Sequence, residues 1–170
     1  MKESPSIPAG GVYIALFHLN RPRRIRVGQL GTIAFPAGRY AYVGTAQRNL
    51  LARLSRHGRR RRPLKWHIDY LSVRAEMLGA IVVEGPKLLE CRLAAALVRS
   101  GAVPIQGFGC TVCGCGSHLF RLDTPLISNA FPLKGDQELA TRFDLDFTLP
   151  PADSTVPASH HRTRAQLTGE

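Results

Sequence analysis

A nine-residue apolar segment near the start of the chain constrains the fold more than any other feature. Residues Gly11 to Leu19, GVYIALFHL, form an apolar and β-branched run with glycines before it and NRP after it. A strand that is apolar at consecutive positions, rather than at alternate ones, is typically buried on both faces of its sheet. The segment therefore predicts a central β-strand that opens the domain.

The following segments continue as short strands. RRIRVG alternates charged and apolar residues, and GTIAF is a second strand candidate before the turn PAG. In RYAYVG, the side chains of Tyr40 and Tyr42 share one face of a strand, while Ala41 and Val43 share the other. This part of the chain predicts a β-meander.

Helical periodicity begins near Gln47. Leu50, Leu51 and Leu54 fall within one apolar arc, and Arg53 and His57 lie beside it, on the boundary between buried and exposed positions.

Further elements alternate along the rest of the chain. KWHIDYL is a short helix candidate with Ile68 and Leu71 inward, LGAIVVEG is a buried strand, and KLLECRLAAALVRSG is a second amphipathic helix. HLFRL is a last strand, and DQELATRF is a further helix candidate. Together with the meander, these segments predict an α/β fold.

The length suggests one domain. A chain of 170 residues with 44% hydrophobic content can bury a substantial core. We expect an N-terminal extension over residues 1–10, the domain over 11–148 and a disordered tail over 149–170, where Pro, Ser, Thr and charged residues occur without apolar periodicity.

Positive charge is concentrated in the first part of the chain. The net charge is +11, and the interval between Glu3 and Asp69 holds thirteen Lys or Arg residues and no acid. Such an interval is either a solvated basic face or a surface for a polyanion. The second interpretation favours a nucleic-acid partner.

The chain shows no membrane or secretion signal. The N-terminus lacks an apolar h-region, and no apolar run approaches the length of about 18 residues that a membrane span needs. We therefore expect a soluble, cytoplasmic protein without a membrane partner, whose cysteines stay reduced.

Four residues with metal-binding side chains lie within nine positions of a glycine-rich loop: Cys110, Cys113, Cys115 and His118. They permit two interpretations, a structural zinc site or a loop with buried thiols, and zinc sites usually draw ligand pairs from separated segments. His118 can also point toward a catalytic pocket.

Tyrosine and cationic side chains lie close together in the sequence around RYAYVG, the predicted strand of Tyr40 and Tyr42. Gly44 follows Tyr42, and Arg53 and His57 come next in a region without acids, while Glu90 supplies a hard anionic ligand for a divalent cation. Tyrosines on a half-buried strand also commonly serve only as core residues.

The arginine-rich loop Arg59–Arg62 and the WHIDYL segment extend the basic region. Trp66 either covers the helix of Arg53 or stacks on a base or sugar, and His67 can pair with Asp69 behind the site. The candidate nucleic-acid-binding residues are Gly44, Arg59, Arg60, Arg61, Arg62, Lys65, Trp66 and His67.

Two motifs resemble a known family. Gly11, Val12 and Tyr13, together with Tyr42, Val43 and Gly44, resemble the paired signatures of the GIY-YIG nuclease superfamily, and YVGTAQRNLLARLSRH resembles its continuation. YAYVGTA, WHIDYL and CGCGSHLF further resemble the Uri-type endonuclease branch. The resemblance spans about Gly11 to Leu122.

This resemblance implies a small mixed or antiparallel three-stranded sheet flanked by helices, with an extra β-hairpin where NRPRRIRVGQLGTIAFPAG separates the two motifs. It also implies hydrolysis of phosphodiester bonds with a divalent metal, Mg²⁺ or Mn²⁺. Tyr13 would be the base or assist it, Tyr42 would orient water or phosphate, and Arg53 would hold the phosphate. Glu90 would bind the metal, and His57 would assist catalysis.

The sequence departs from the family pattern at the cysteine loop, where Val112 stands in place of an expected Asp and Cys110 is added. Glu84 is an alternative to Glu90 as metal ligand. The resulting prediction is a DNA endonuclease, with RNA as another possible substrate. The alternative is a noncatalytic nucleic-acid-binding module with a structural zinc site in the cysteine loop.

Overall fold

The computed structural model of the protein describes residues 8–111 and 113–123. In these residues the strands are β1 (Gly11–Leu19), β2 (Arg23–Arg26), β3 (Thr32–Phe35), β4 (Gly38–Ala46), β5 (Glu76–Val83), β6 (Val103–Pro104) and β7 (Leu119–Leu122). The α-helices are α1 (Leu50–Gly58), α2 (His67–Ser72) and α3 (Leu89–Arg99), and a 3₁₀ turn covers Gly28–Leu30.

The main sheet is antiparallel, with strand order β5-β1-β4-β7-β6. It confirms an α/β fold built on an antiparallel sheet, but it has five strands where three were expected. The difference arises because β7 pairs with the free edge of β4, with Tyr42 opposite Leu119, and β6 then extends the sheet.

Strand β1 lies inside the sheet between β4 and β5, as its apolar sequence predicts. Its alternating side chains enter two separate cores. Tyr13, Ala15 and Phe17 face the first core, and Val12 and Ile14 face the second. Burial on both faces explains why this strand contains almost no polar residue.

Strand β4 divides its residues in the predicted way. Tyr40 and Tyr42 face the first core, whereas Ala41 and Val43 face the second.

Different helices cover the two faces of the main sheet. Leu50 and Leu54 of α1 and Leu71 of α2 pack in the first core, and Leu93 of α3 packs in the second. The prediction that Leu51 faces the core is wrong, because its side chain is 58% exposed.

The buried stripe of α1 consists instead of Leu50, Leu54 and His57. Their spacing of four and then three residues places all three on one face of the helix. His57 is thus fully buried, rather than on the boundary that the sequence predicted.

The predicted hairpin between the two motifs is present as strands β2 and β3, which form a separate two-stranded sheet. Ile25 and Phe35 of this hairpin, with Val27 after β2, are buried in the first core. The insertion therefore packs against the domain without interrupting the pairing of β1 with β4, which runs from Gly11 opposite Ala46 to Leu19 opposite Gly38.

Several predicted segments lie outside the described residues: the first part of the N-terminal extension, the DQELATRF helix and the 149–170 tail. Within the described part of the chain, no helix combines the length and the apolar character needed to cross a membrane.

Candidate functional site

A tyrosine and a histidine meet in the first core. The hydroxyl of Tyr13 on β1 lies 2.8 Å from Nε2 of His57, which belongs to the last turn of α1. Both side chains are 1% exposed. The ring of Tyr42 is adjacent, with its centroid 6.4 Å from that of Tyr13 and 6.1 Å from that of His57. The structure therefore brings together three of the five predicted catalytic residues.

Gly44 leaves room for the Tyr13 ring, which occupies the space that a side chain at position 44 would need. The two residues are directly opposite in the pairing of β1 with β4. A Cβ atom at position 44 would lie 2.5 Å from both Cζ and Oη of Tyr13, closer than nonbonded atoms approach. Strand β4 continues through Gly44 to Ala46. Gly44 is buried, so its role in this structure is packing rather than contact with nucleic acid.

Burial controls the protonation of the pocket. Burial, reinforced by Arg62 and Arg53, lowers the pKa of His57 from 6.5 to about 4. Burial also raises the pKa of Tyr13 and Tyr42 well above 10, and the opposing effect of Arg53 on these pKa values is smaller. At neutral pH the imidazole is therefore neutral and both phenols are protonated.

The tautomer of His57 is an assignment based on its contact with Tyr13. We assign the Tyr13 O–H as the donor to Nε2 of His57, which places the imidazole proton on Nδ1. Nδ1 is buried without a hydrogen-bond partner among the described residues. An unpaired buried N–H of this kind is uncommon in folded proteins.

Arg53 points from α1 toward the exposed aromatic side chain of Trp66. Its Cζ lies 5.6 Å from the Trp66 ring centroid, and Nζ of Lys65 lies 5.2 Å from the same centroid. Trp66 is 45% exposed. Trp66 thus contacts the side chain of Arg53 and still presents part of its ring to solvent.

Asp69 organises the arginine-rich loop. Its carboxylate is fully buried and accepts a bidentate pair of hydrogen bonds from Arg56, at 2.7 and 2.9 Å. It also accepts hydrogen bonds from Nε of Arg62 at 3.2 Å and from the backbone N–H groups of Lys65 and Trp66. Burial alone would raise the pKa of Asp69, but these hydrogen bonds hold that pKa below its usual value.

The loop therefore divides into buried and exposed arginines. The side chain of Arg62 is only 4% exposed, and its guanidinium donates to the backbone carbonyls of His57 and Arg59 as well as to Asp69. Arg62 is thus committed inside the protein, although the sequence suggested a phosphate contact. Arg59, Arg60 and Arg61 are exposed.

His67 contacts the glycine-rich loop rather than Asp69. Its Nδ1 accepts a hydrogen bond of 3.1 Å from the backbone N–H of Gly109. The suggested pairing of His67 with Asp69 is absent from the described hydrogen bonds, because the Asp69 carboxylate faces the arginines on the other side.

Glu90 lies in the first turn of α3. Its Oε1 is 3.3 Å from Nδ1 of His118, within ion-pair distance although the angle does not meet hydrogen-bond geometry. The charge of Glu90 also contributes to the raised pKa of Tyr42, after burial. The alternative ligand Glu84 is exposed just beyond β5.

Cysteine side chains from two segments meet next to Glu90. The ligand atoms of Cys91, Cys113, Cys115 and His118 all lie within 4.8 Å of one another, a set of three thiols and one imidazole that could hold a metal ion. The sequence prediction named Cys110 in place of Cys91. Cys110 instead directs its thiol to the carbonyl of Phe108 at 3.5 Å.

Sequence reasoning missed Cys91 because it belongs to α3, far from the cysteine loop along the chain. The preference of zinc sites for ligand pairs from separated segments was the available signal. Burial raises the pKa of the Cys91 thiol and raises that of Cys110 to about 12, and hydrogen bonds from Cys115 lower the pKa of Cys113 despite burial.

Fold and site together define an antiparallel α/β domain with a buried tyrosine–histidine pocket and a neighbouring Cys3His cluster. The chain belongs to the family described as Domain of unknown function DUF123, which it matches over residues 12–134. A search of curated proteins found no match. A search of solved structures also found none.

Proposed function

We propose that the protein is a metal-dependent endonuclease of the GIY-YIG type, which hydrolyses phosphodiester bonds in DNA. The contact between Tyr13 and His57, beside Tyr42 and over Gly44, is the observation that carries this proposal. This arrangement gives a physical reason for the presence of Tyr13, Tyr42 and Gly44, which the two sequence motifs alone did not supply.

The protonation states suggest a proton relay for the attacking water. As water attacks phosphorus, its proton passes to Oη of Tyr13 while the phenolic proton moves to Nε2 of neutral His57, 2.8 Å away. The P–O bond to the leaving oxygen breaks, and His57 gives up its added proton through solvent to that oxygen, which returns the imidazole to its neutral state. Because Tyr13 gains one proton as it loses another, the relay never requires a free phenolate, which the raised pKa disfavours. The lowered pKa of His57 makes the imidazolium a short-lived carrier that readily gives up its proton.

Tyr42 and Arg53 would hold the phosphate. Arg53 lowers the pKa of both phenols, so its charge acts within the pocket, where a guanidinium can stabilise the charge that develops on phosphate oxygens. The partly exposed ring of Trp66 is suited to stacking on a base or sugar. Lys65 and the exposed Arg59–Arg61 would contact the backbone without reading its sequence.

The residues also fit a divalent cation. Mg²⁺ and Mn²⁺ commonly use one or two carboxylates, with water and substrate phosphates completing the shell. Oε1 of Glu90 faces His118, so Oε2 remains to serve as such a ligand. Bound there, Mg²⁺ or Mn²⁺ would act as a Lewis acid toward the phosphate oxygens.

A second candidate is a noncatalytic nucleic-acid-binding module. The contact of Glu90 with His118, whose Nε2 approaches Cys113, favours this function because it ties the carboxylate to the cysteine cluster instead of to a catalytic metal. In that case the basic surface binds DNA or RNA and no bond is cleaved.

Cleavage of end-labelled single-stranded, duplex and branched DNA, and of the corresponding RNA, would test the proposal with Mg²⁺, Mn²⁺ or a chelator present. We expect metal-dependent products that fall by about 10²–10⁴-fold in Tyr13→Phe. Arg53→Ala and Glu90→Gln should lose at least about 10²-fold.

Matched controls separate chemistry from structure. Tyr40 lies on the same face of β4 as Tyr42, and its hydroxyl donates to the carbonyl of Pro36. Tyr40→Phe removes this hydroxyl and should retain activity. Glu84→Gln, at an exposed position, should also cleave normally. Salt-sensitive binding without product on every substrate would instead establish the binding module.

A further inference from the structure

The Cys3His cluster has the dimensions of a tetrahedral metal site. A Zn–S distance of about 2.3 Å and tetrahedral geometry separate two sulfur ligands by roughly 3.8 Å. The four candidate ligand atoms already lie within 4.8 Å of one another, and Cys113 Sγ is 3.4 Å from Nε2 of His118. Movements of about an ångström, available to side-chain rotation, would complete the site.

The donor set selects the metal. Thiolates and imidazole are preferred by Zn²⁺, whereas Mg²⁺ and Mn²⁺ prefer oxygen ligands. Four protein ligands fill a tetrahedral shell and leave no open position for water or substrate, which is the property of structural rather than catalytic zinc.

The cluster joins two separate parts of the chain. Cys91 is the third residue of α3, while Cys113, Cys115 and His118 belong to the loop before β7. Backbone hydrogen bonds hold the base of this loop, from Gly107 to Gly116 and from His118 to Phe108. A metal at the cluster would fasten the tip of the loop to α3.

Glu90 gives the site an outer partner. Ring nitrogens of metal-bound histidines that face away from the metal commonly contact a carboxylate, which fixes the orientation of the ring. Here Nε2 of His118 faces Cys113, while Nδ1 is buried 3.3 Å from Oε1 of Glu90. This arrangement is an independent sign that the ring is held to present Nε2 to the cluster.

We propose that Cys91, Cys113, Cys115 and His118 bind one Zn²⁺ in a closed structural site, with Glu90 as the carboxylate that orients His118. Cys110 is outside the ligand set. If the proposed function holds, Glu90 is also the ligand of the catalytic metal, and the two sites then share one carboxylate.

The full-length protein, purified without chelator and saturated with Zn²⁺, provides the first test. Reaction with a thiol-alkylating reagent, followed by mass spectrometry, should modify Cys110 in both the zinc-loaded and the chelator-treated protein. Cys91, Cys113 and Cys115 should be protected only when zinc is present. Equal modification of Cys91 and Cys110 in the zinc-saturated protein would overturn the proposed ligand set.

Matched variants provide the second test. Zinc content should be about one ion per chain in the unmodified protein and in Cys110→Ser. Zinc should be lost from Cys91→Ser. With Co²⁺ in place of zinc, we expect thiolate-to-metal charge-transfer absorption that weakens in Cys91→Ser but not in Cys110→Ser. Retention of zinc by Cys91→Ser with its loss from Cys110→Ser would assign the site to the loop alone.

Glu90→Gln tests the outer partner. This variant should retain zinc but release it to a chelator faster, about 10–100-fold, because an amide orients the imidazole less strongly. An unchanged release rate would remove Glu90 from the site. All these readouts are metal content and thiol protection, so they stand or fail separately from nuclease activity.

Discussion

Acidification should destabilise the protein through His57. The side chain is buried against Tyr13 and close to three arginines, and burial lowers its pKa from 6.5 to about 4. In the unfolded chain the imidazole binds a proton near pH 6.5, whereas in the folded protein it resists protonation until about pH 4. The unfolded state therefore binds more protons between these two pH values.

The sign and size of the effect follow from linkage. The neutral histidine stabilises the folded state fully above pH 6.5, and this stability is lost as pH falls toward the folded-state pKa of about 4. At about 1.4 kcal/mol for each pH unit, the whole loss is about 3 kcal/mol, of which about 2 kcal/mol has occurred by pH 5. Such a loss is a large fraction of the stability of an ordinary domain.

Urea unfolding of the protein and of His57→Gln, measured from pH 7.5 to pH 4, would isolate this histidine. Glutamine can still accept the Tyr13 hydrogen bond but does not titrate. Other groups, including Asp69 and His118, titrate in both proteins, so their contributions cancel in the difference. Parallel stability curves over this pH range would refute the argument that burial keeps His57 neutral.

Two further substitutions test the packing of the site. Gly44→Ala should displace the Tyr13 ring and destabilise the fold by about 1–3 kcal/mol, because the new Cβ would lie 2.5 Å from Cζ and Oη; an unchanged urea midpoint would argue against this close approach. Asp69→Asn should cost about 3–5 kcal/mol, since it leaves the buried Arg62 cation uncompensated. Asp123→Asn, which affects an exposed ion pair, should change the unfolding free energy by less than about 1 kcal/mol, and a similar loss in both variants would contradict this account.

Much of the architecture follows from short-range sequence patterns. The apolar run of β1 predicted burial on both faces, and the alternation of Tyr40 and Tyr42 with Ala41 and Val43 predicted how β4 divides its side chains. These patterns succeed because strand side chains alternate strictly between the two faces. The number of strands was underestimated, because the pairing of β7 with β4 joins residues far apart in the chain.

The site was predictable only in part, again because some of its residues come together only through contacts between distant parts of the chain. Tyr13, Tyr42 and His57 were recognised by resemblance, and the structure brings them into contact. Cys91 was missed because only tertiary packing brings α3 to the cysteine loop. Arg62 could not be distinguished from its exposed neighbours, because its burial depends on the distant carboxylate of Asp69.

The position of β1 has a consequence for how the chain reaches its fold. The strand is made first, yet one of its edges pairs with β5, where Val12 is opposite Val83. A nascent chain can cover the other edge earlier, when β4 emerges from the ribosome, but the β5 side stays open until most of the domain has been synthesised. Pairings between such distant residues form slowly and leave apolar strand edges exposed to other chains. Synthesis is therefore the stage at which this protein is most prone to aggregate. Substitutions that delay the pairing of β5 with β1 should lower the yield of soluble protein before they alter the folded state.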